Sequence, residues 1–341
     1  MKATPSLPGR PPLGTFPLRL KAAEGVPVVS LLLLLVVWNV APGVLERAVY
    51  VPLLVSTVLF GIPHGALDHR LPIRLGWGWA QTAWGIGGYI TAYALGAALT
   101  FSVWWLAPHV IFWGFLLLSL LHWGQGDLYH LEVFQGRRRA GFWSAPLTLL
   151  TRGSLPILLP LLVFPDWFAR LAAGIDRVVG RSGPVGPLLP PGVGLGLTAV
   201  FLGLLIAYVW DVLVSSRRPA LELTETGVLL LVFSLVPAPL SIGAYFSMWH
   251  AWRHLQRLLD MPDTRKARGT SRVLRLVAEL LPITVVALGL LLAVACWAAP
   301  RLLSVETFTA LYLALIAALT VPHAVLVACM GLSRTTVPRS D

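Results

Sequence analysis

His250 and His254 stand four residues apart in the stretch from Ser247 to Leu259. On a helix that spacing is one turn, so both imidazoles lie on one face and can point at a single atom, as metal ligands do. The pair ends the apolar run from Leu240 to Trp249 and precedes a strongly basic segment, which predicts a place near one surface of a membrane. In a soluble helix such rings often only satisfy a core or a solvated face. Within a membrane segment a polar ring is costly and tends to be functional.

The elements that must position this pair follow from composition. The chain has 341 residues, 57% hydrophobic and 12% charged, with a mean hydropathy of +0.77. That is the make-up of an all-α polytopic membrane protein. At about 20 apolar residues per crossing, with tolerance for short or tilted spans, the chain offers eight to ten transmembrane helices. The fullest reading is ten, over residues 26–41, 48–64, 80–106, 108–126, 142–164, 193–214, 221–236, 240–258, 272–299 and 305–330.

The net charge of +11 would suggest nucleic acid in a soluble protein. Here Lys and Arg fall mainly in short loops between apolar runs and report orientation, so no nucleic-acid partner is expected. Placing the N-terminus inside puts Arg70, Arg74, Arg137, Arg138, Arg139, Arg217, Arg218, Arg257, Arg265, Lys266 and Arg268 on one side. This predicts both termini cytoplasmic, in a cell (inner) membrane. The charged exception, Asp166 to Arg181, alternates at a helical period and predicts an amphipathic helix on the outer surface. Residues 1–25 read as a disordered cytoplasmic tail, 26–330 as a single integral-membrane domain, and 331–341 as a short cytoplasmic tail. The run at 26–41 lacks a small-residue cleavage site and reads as a retained helix. Cys296 and Cys329 lie inside apolar runs, so neither a disulfide framework nor a thiolate site is indicated.

On that topology the second, fourth, eighth and tenth segments all run from outside to inside. His64 ends the second, His122 lies late in the fourth, His250 and His254 end the eighth, and His323 lies in the last third of the tenth. Five histidines from four helices are therefore expected at one depth near the cytoplasmic leaflet. His69 and His130 sit slightly further toward the cytoplasm, as interfacial or supporting groups, and His109 lies on the opposite side.

Imidazoles without cysteine partners suit iron, copper or zinc. Asp68 is four residues after His64, and Asp127 five after His122. Either carboxylate could accept the second ring N–H of a ligating histidine and fix its tautomer, or could simply end a helix at the membrane surface. Trp123, Trp249 and Trp252 crowd the same motifs and could wall an apolar slot for a long, flat substrate, or belong to an interfacial belt.

Taken together, Gly61-Ile-Pro-His-Gly-Ala-Leu-Asp-His69, His122-Trp-Gly-Gln-Gly-Asp127, Trp249-His-Ala-Trp-Arg-His254 and Val321-Pro-His323 resemble the motifs of the Brp/Blh family of membrane β-carotene 15,15′-dioxygenases. The resemblance runs from about Ala48 to Met330. It implies cleavage of the central double bond of β-carotene by dioxygen, giving two molecules of retinal, at a non-haem Fe(II) centre. The ligands it implies are His64, His122, His250 and His254. It further implies a carotenoid drawn from the lipid phase and a rhodopsin as recipient of the retinal. Other membrane chemistries compete. A di-iron lipid desaturase or hydroxylase also gathers histidines, but usually as His-His pairs, which are absent here. A haem or proton carrier would leave most of these rings unused.

Overall fold

The computed structural model describes residues 18–181, 188–259, 270–298 and 304–335, and among them every regular element is helical. All ten segments expected from hydropathy are helical over most of their described residues. The first helix begins at Leu18, so the tail expected over 1–25 is helical from that residue onward, and the last helix continues to Thr335, into the tail expected over 331–341.

Among the described residues five helices are long and apolar enough to cross a membrane: Ala83–Leu106, Ser144–Val163, Gly192–Ser215, Val273–Cys296 and Val305–Met330. Other segments are shorter or more polar for identifiable reasons. Pro108–Val133 carries His122, Asp127 and His130, and Pro219–Leu235 carries Glu222 and Glu225. The helix bearing His250 is interrupted by a π turn, Phe246–Ala251, between Ala238–Tyr245 and Trp252–Leu259.

The apolar helices divide into two layers. Ala83–Leu106, Gly192–Ser215 and Val273–Cys296 turn most of their side chains outward, with Leu99, Ile206 and Val286 each about two-thirds exposed or more. Surfaces of that kind suit hydrocarbon. Ser144–Val163 is instead mostly buried, packed against Pro108–Val133, Pro219–Leu235 and one side of Pro191–Ser215. The amphipathic helix expected between Asp166 and Arg181 is present as Pro165–Val178, with Phe168, Ala172 and Ile175 buried. It packs on the start of the Val305–Thr335 helix, where Gly174 meets the Glu306 carbonyl.

Glycines set the closest approaches. A Cβ on Gly124 would lie 2.0 Å from the Leu149 carbonyl oxygen, and one on Gly153 would lie 1.9 Å from that of Leu120. The Pro108–Val133 and Ser144–Val163 helices can therefore cross backbone to backbone, as small residues allow within membranes. Gly243 does the same against Pro52 and Leu53, fixing the His250 helix on the segment that leads to His64.

Candidate functional site

Two π turns bracket the site. One, Thr57–Gly61, directly precedes the short helix Ile62–Gly65, and the other contains His250; the two pack against each other. A π turn adds a residue to one turn of helix and is frequent at functional sites. In the His250 helix it widens the inward face beyond an ordinary stripe, so Trp249, His250, Arg253, His254, Arg257 and Leu258 are all buried. Opposite it, the Pro108–Val133 helix buries Ser119, His122, Trp123, Asp127 and His130 along one face.

Four imidazoles meet where these faces converge. The His122 ring centroid lies 5.0 Å from that of His250 and 5.0 Å from that of His323, and His323 lies 5.6 Å from His254. Rings bound to one ion through nitrogens about 2.1 Å from it hold their centroids about 5 Å apart, so these pairwise spacings and the donor type are compatible with a shared transition metal. Among the described residues no group of three or more His, Cys, Asp or Glu side chains is arranged to hold a metal ion. The His64 side chain lies outside the described residues. Its neighbour Gly65 stands at the cluster, where a Cβ would come within 3.8 Å of both Asp68 Oδ2 and His323 Nδ1.

The two carboxylates singled out by spacing differ in what they hold. Asp68 Oδ2 lies 2.8 Å from His323 Nδ1 and accepts from the Tyr93 hydroxyl at 2.9 Å. It thus supports a histidine of the cluster from far along the chain. Asp127, also expected to accept from a histidine, instead joins a buried charge cluster. Its Oδ2 accepts from Arg152 Nε at 2.8 Å, and its Oδ1 accepts from Arg253 Nη1 and Trp249 Nε1, both at 2.9 Å. Glu225 completes the group, paired with Arg152 at 3.1 Å and with Arg253 at 2.9 Å, and accepting from Gln135. Two cations and two anions from four helices cancel there, as charges out of water require.

A second set lies beside it. Gly136, at φ +72°, ends the Pro108–Val133 helix in the left-handed conformation that suits glycine. The Arg137 amide then bonds back to the Leu131 carbonyl at 2.9 Å. The Arg137 guanidinium reaches Glu222 and Asp211, which also accept from Tyr208 and Ser144 respectively.

The tryptophans separate as well. Trp123 is stacked on Phe246 at 5.9 Å and tilted over His250 at 5.8 Å, forming an aromatic wall beside the cluster. Trp249 is fully buried, with the Arg253 guanidinium 4.1 Å from its ring, and belongs to the charge cluster and not to a slot. Trp252 is half-buried. His130 is buried and stacked on Phe134 at 5.2 Å. His69 is half-buried, with Nδ1 3.0 Å from the Ala66 carbonyl oxygen, and burial lowers its pKa from the usual imidazole value. His109 lies apart, exposed beside Asp176.

Arg152, Glu225 and Arg253 were missed as site residues by spacing. The available signal was their occurrence within apolar helices, where ionisable groups are rare and need partners. Tyr93 offered no such signal, because a tyrosine in an apolar helix is unremarkable.

Comparison with known proteins agrees over most of the chain. The family described as beta-carotene 15,15′-dioxygenase matches residues 55–331. The chain is 34% identical over 304 residues to a Halobacterium salinarum protein named "Probable beta-carotene 15,15′-dioxygenase Blh", covering 82% of this chain and 84% of the relative. It is 25% identical over 233 residues to one named "Probable beta-carotene 15,15′-dioxygenase Brp" from the same species, covering 62% of this chain and 59% of that relative. No solved structure matches.

Proposed function

The chain belongs to the β-carotene 15,15′-dioxygenase family, and from that premise we propose that it cleaves the central double bond of β-carotene with dioxygen, yielding two molecules of all-trans-retinal. The reaction balances: one C=C bond is lost and two C=O bonds form, each retinal taking one oxygen atom. The proposed centre is non-haem Fe(II) held by His64, His122, His250 and His254, near the cytoplasmic leaflet of the cell membrane. The observation that carries this reading is the meeting of His122, His250, His254 and His323 in the interior, from three helices distant in sequence.

Bound ferrous iron would supply the activation of dioxygen. The protein's own work is placement. Trp123 and Phe246 stack into an aromatic surface against His250, suited to a flat polyene, and hold water away from the reacting bond. Regioselectivity then depends on how far from the histidines the end rings of the substrate are held. A hydrocarbon substrate enters from lipid, which fits the outward apolar faces of the surrounding helices. Ten crossings with both termini cytoplasmic, and delivery of retinal to a rhodopsin, complete the proposal.

The test is expression in bacteria that accumulate β-carotene, with chromatography of the extracted pigments. Loss of β-carotene with appearance of retinal is the expected result. A shorter apocarotenal would contradict central cleavage, and unchanged β-carotene with membrane-inserted, iron-loaded protein would contradict the substrate.

A further inference from the structure

Resting on the iron reading above, we propose that His323 is a further ligand of the same metal, turned toward it by Asp68 and Tyr93. The distances do not separate His323 from the histidines already assigned: it stands as close to His122 as His250 does, at 5.0 Å. Its Nδ1 faces a carboxylate oxygen at 2.8 Å, so Nδ1 carries the proton and the lone pair of the ring lies on Nε2, the nitrogen that would meet a metal. Tyr93 donates to that same oxygen at 2.9 Å, which fixes the carboxylate and through it the plane of the imidazole.

Charge points the same way. Asp68 and Asp127 are almost equally buried, at 3% and 2% exposure, yet Asp127 holds two arginines. Among the described residues Asp68 makes no ion pair with Lys or Arg, and the ring that faces it is His323. Buried carboxylates are balanced by a cation or by a metal, and a divalent ion behind His323 supplies that balance. The arrangement also gives a centre of neutral imidazoles one anionic group, at one bond's remove.

The readout is metal binding, independent of turnover. Ferrous iron affinity, and the visible d–d absorption of cobalt(II)-loaded protein, are measured on full-length wild type, His323→Gln, Asp68→Asn and His122→Ala, with the unfolding midpoint of each metal-free protein as the control for folding. His323→Gln should weaken iron binding by about 100-fold or more and shift the cobalt bands, and Asp68→Asn should weaken it about 10- to 100-fold. Wild-type affinity and an unchanged cobalt spectrum in a folded His323→Gln protein would overturn the assignment. Should that variant not fold, unchanged affinity in Asp68→Asn, which keeps the shape of the pair, overturns it equally. Loss of iron from His122→Ala alongside those results would leave the four-histidine centre standing, whereas a wild type that binds neither metal would overturn both.

Discussion

The histidine cluster and the charge cluster draw on the same two helices, yet their groups are held in opposite ways. From the Pro108–Val133 helix comes His122 for one and Asp127 for the other, and from the π-interrupted helix come His250 and His254 for one and Trp249 and Arg253 for the other. In the charge cluster Arg152, Arg253, Asp127 and Glu225 satisfy one another in pairs. In the histidine cluster the rings stand face to edge, with centroids 5.0 to 5.6 Å apart. The difference separates a region that fixes helices from a region that presents donors. Each depends on the other, because the ion pairs lie within a turn or two of the rings and set their helices in register.

Breaking either region should give a distinct signature. The largest effect is expected from His122→Ala or His250→Ala, which should abolish retinal formation while leaving a membrane-inserted protein whose metal-free unfolding midpoint matches wild type. Asp127→Ala should act on stability instead. It leaves two buried guanidinium groups short of an anion, so unfolding in detergent should show a loss of about 3–5 kcal/mol, with activity falling in step with the folded fraction. Trp249→Phe keeps an aromatic ring, smaller than the indole, and removes one donor to Asp127. Denaturant unfolding should register a cost of about 1.5–3 kcal/mol, as for a hydrogen bond to a charged group, with iron affinity unchanged. Glu132→Gln sharpens the contrast from the other side. Glu132 pairs with the half-exposed Arg139, and loosening a surface pair of that kind should cost no more than about 1 kcal/mol by the same measurement.

Much of this contrast was legible in the sequence, for uneven reasons. Helical segments are visible because an apolar run long enough to cross a bilayer has few alternatives. The i, i+4 pair His250 and His254 is visible because helical geometry alone puts both rings on one face. Asp68 could be marked as a carboxylate near a histidine, but its partner His323 lies at the other end of the chain, and only packing brings the two together. Asp127 was marked on the same grounds and proved to face arginines. Spacing along a helix says which residues share a face, and says nothing of what the neighbouring helix offers. The π turns were also invisible, since their sequences, Thr57–Gly61 and Phe246–Ala251, carry no proline and no unusual composition. They lie where the His250 helix and the segment leading to His64 pack against each other.

The most direct test of the central claim, that the histidine cluster is the metal centre of the reaction, is the ferrous iron content of His122→Ala beside that of wild type, both purified from the same β-carotene-accumulating cells. The account predicts a folded His122→Ala protein that is depleted of iron and cells that keep their β-carotene, against iron-loaded wild type and cells that yield retinal. Iron retained at the wild-type level in a His122→Ala protein that still yields retinal would contradict it.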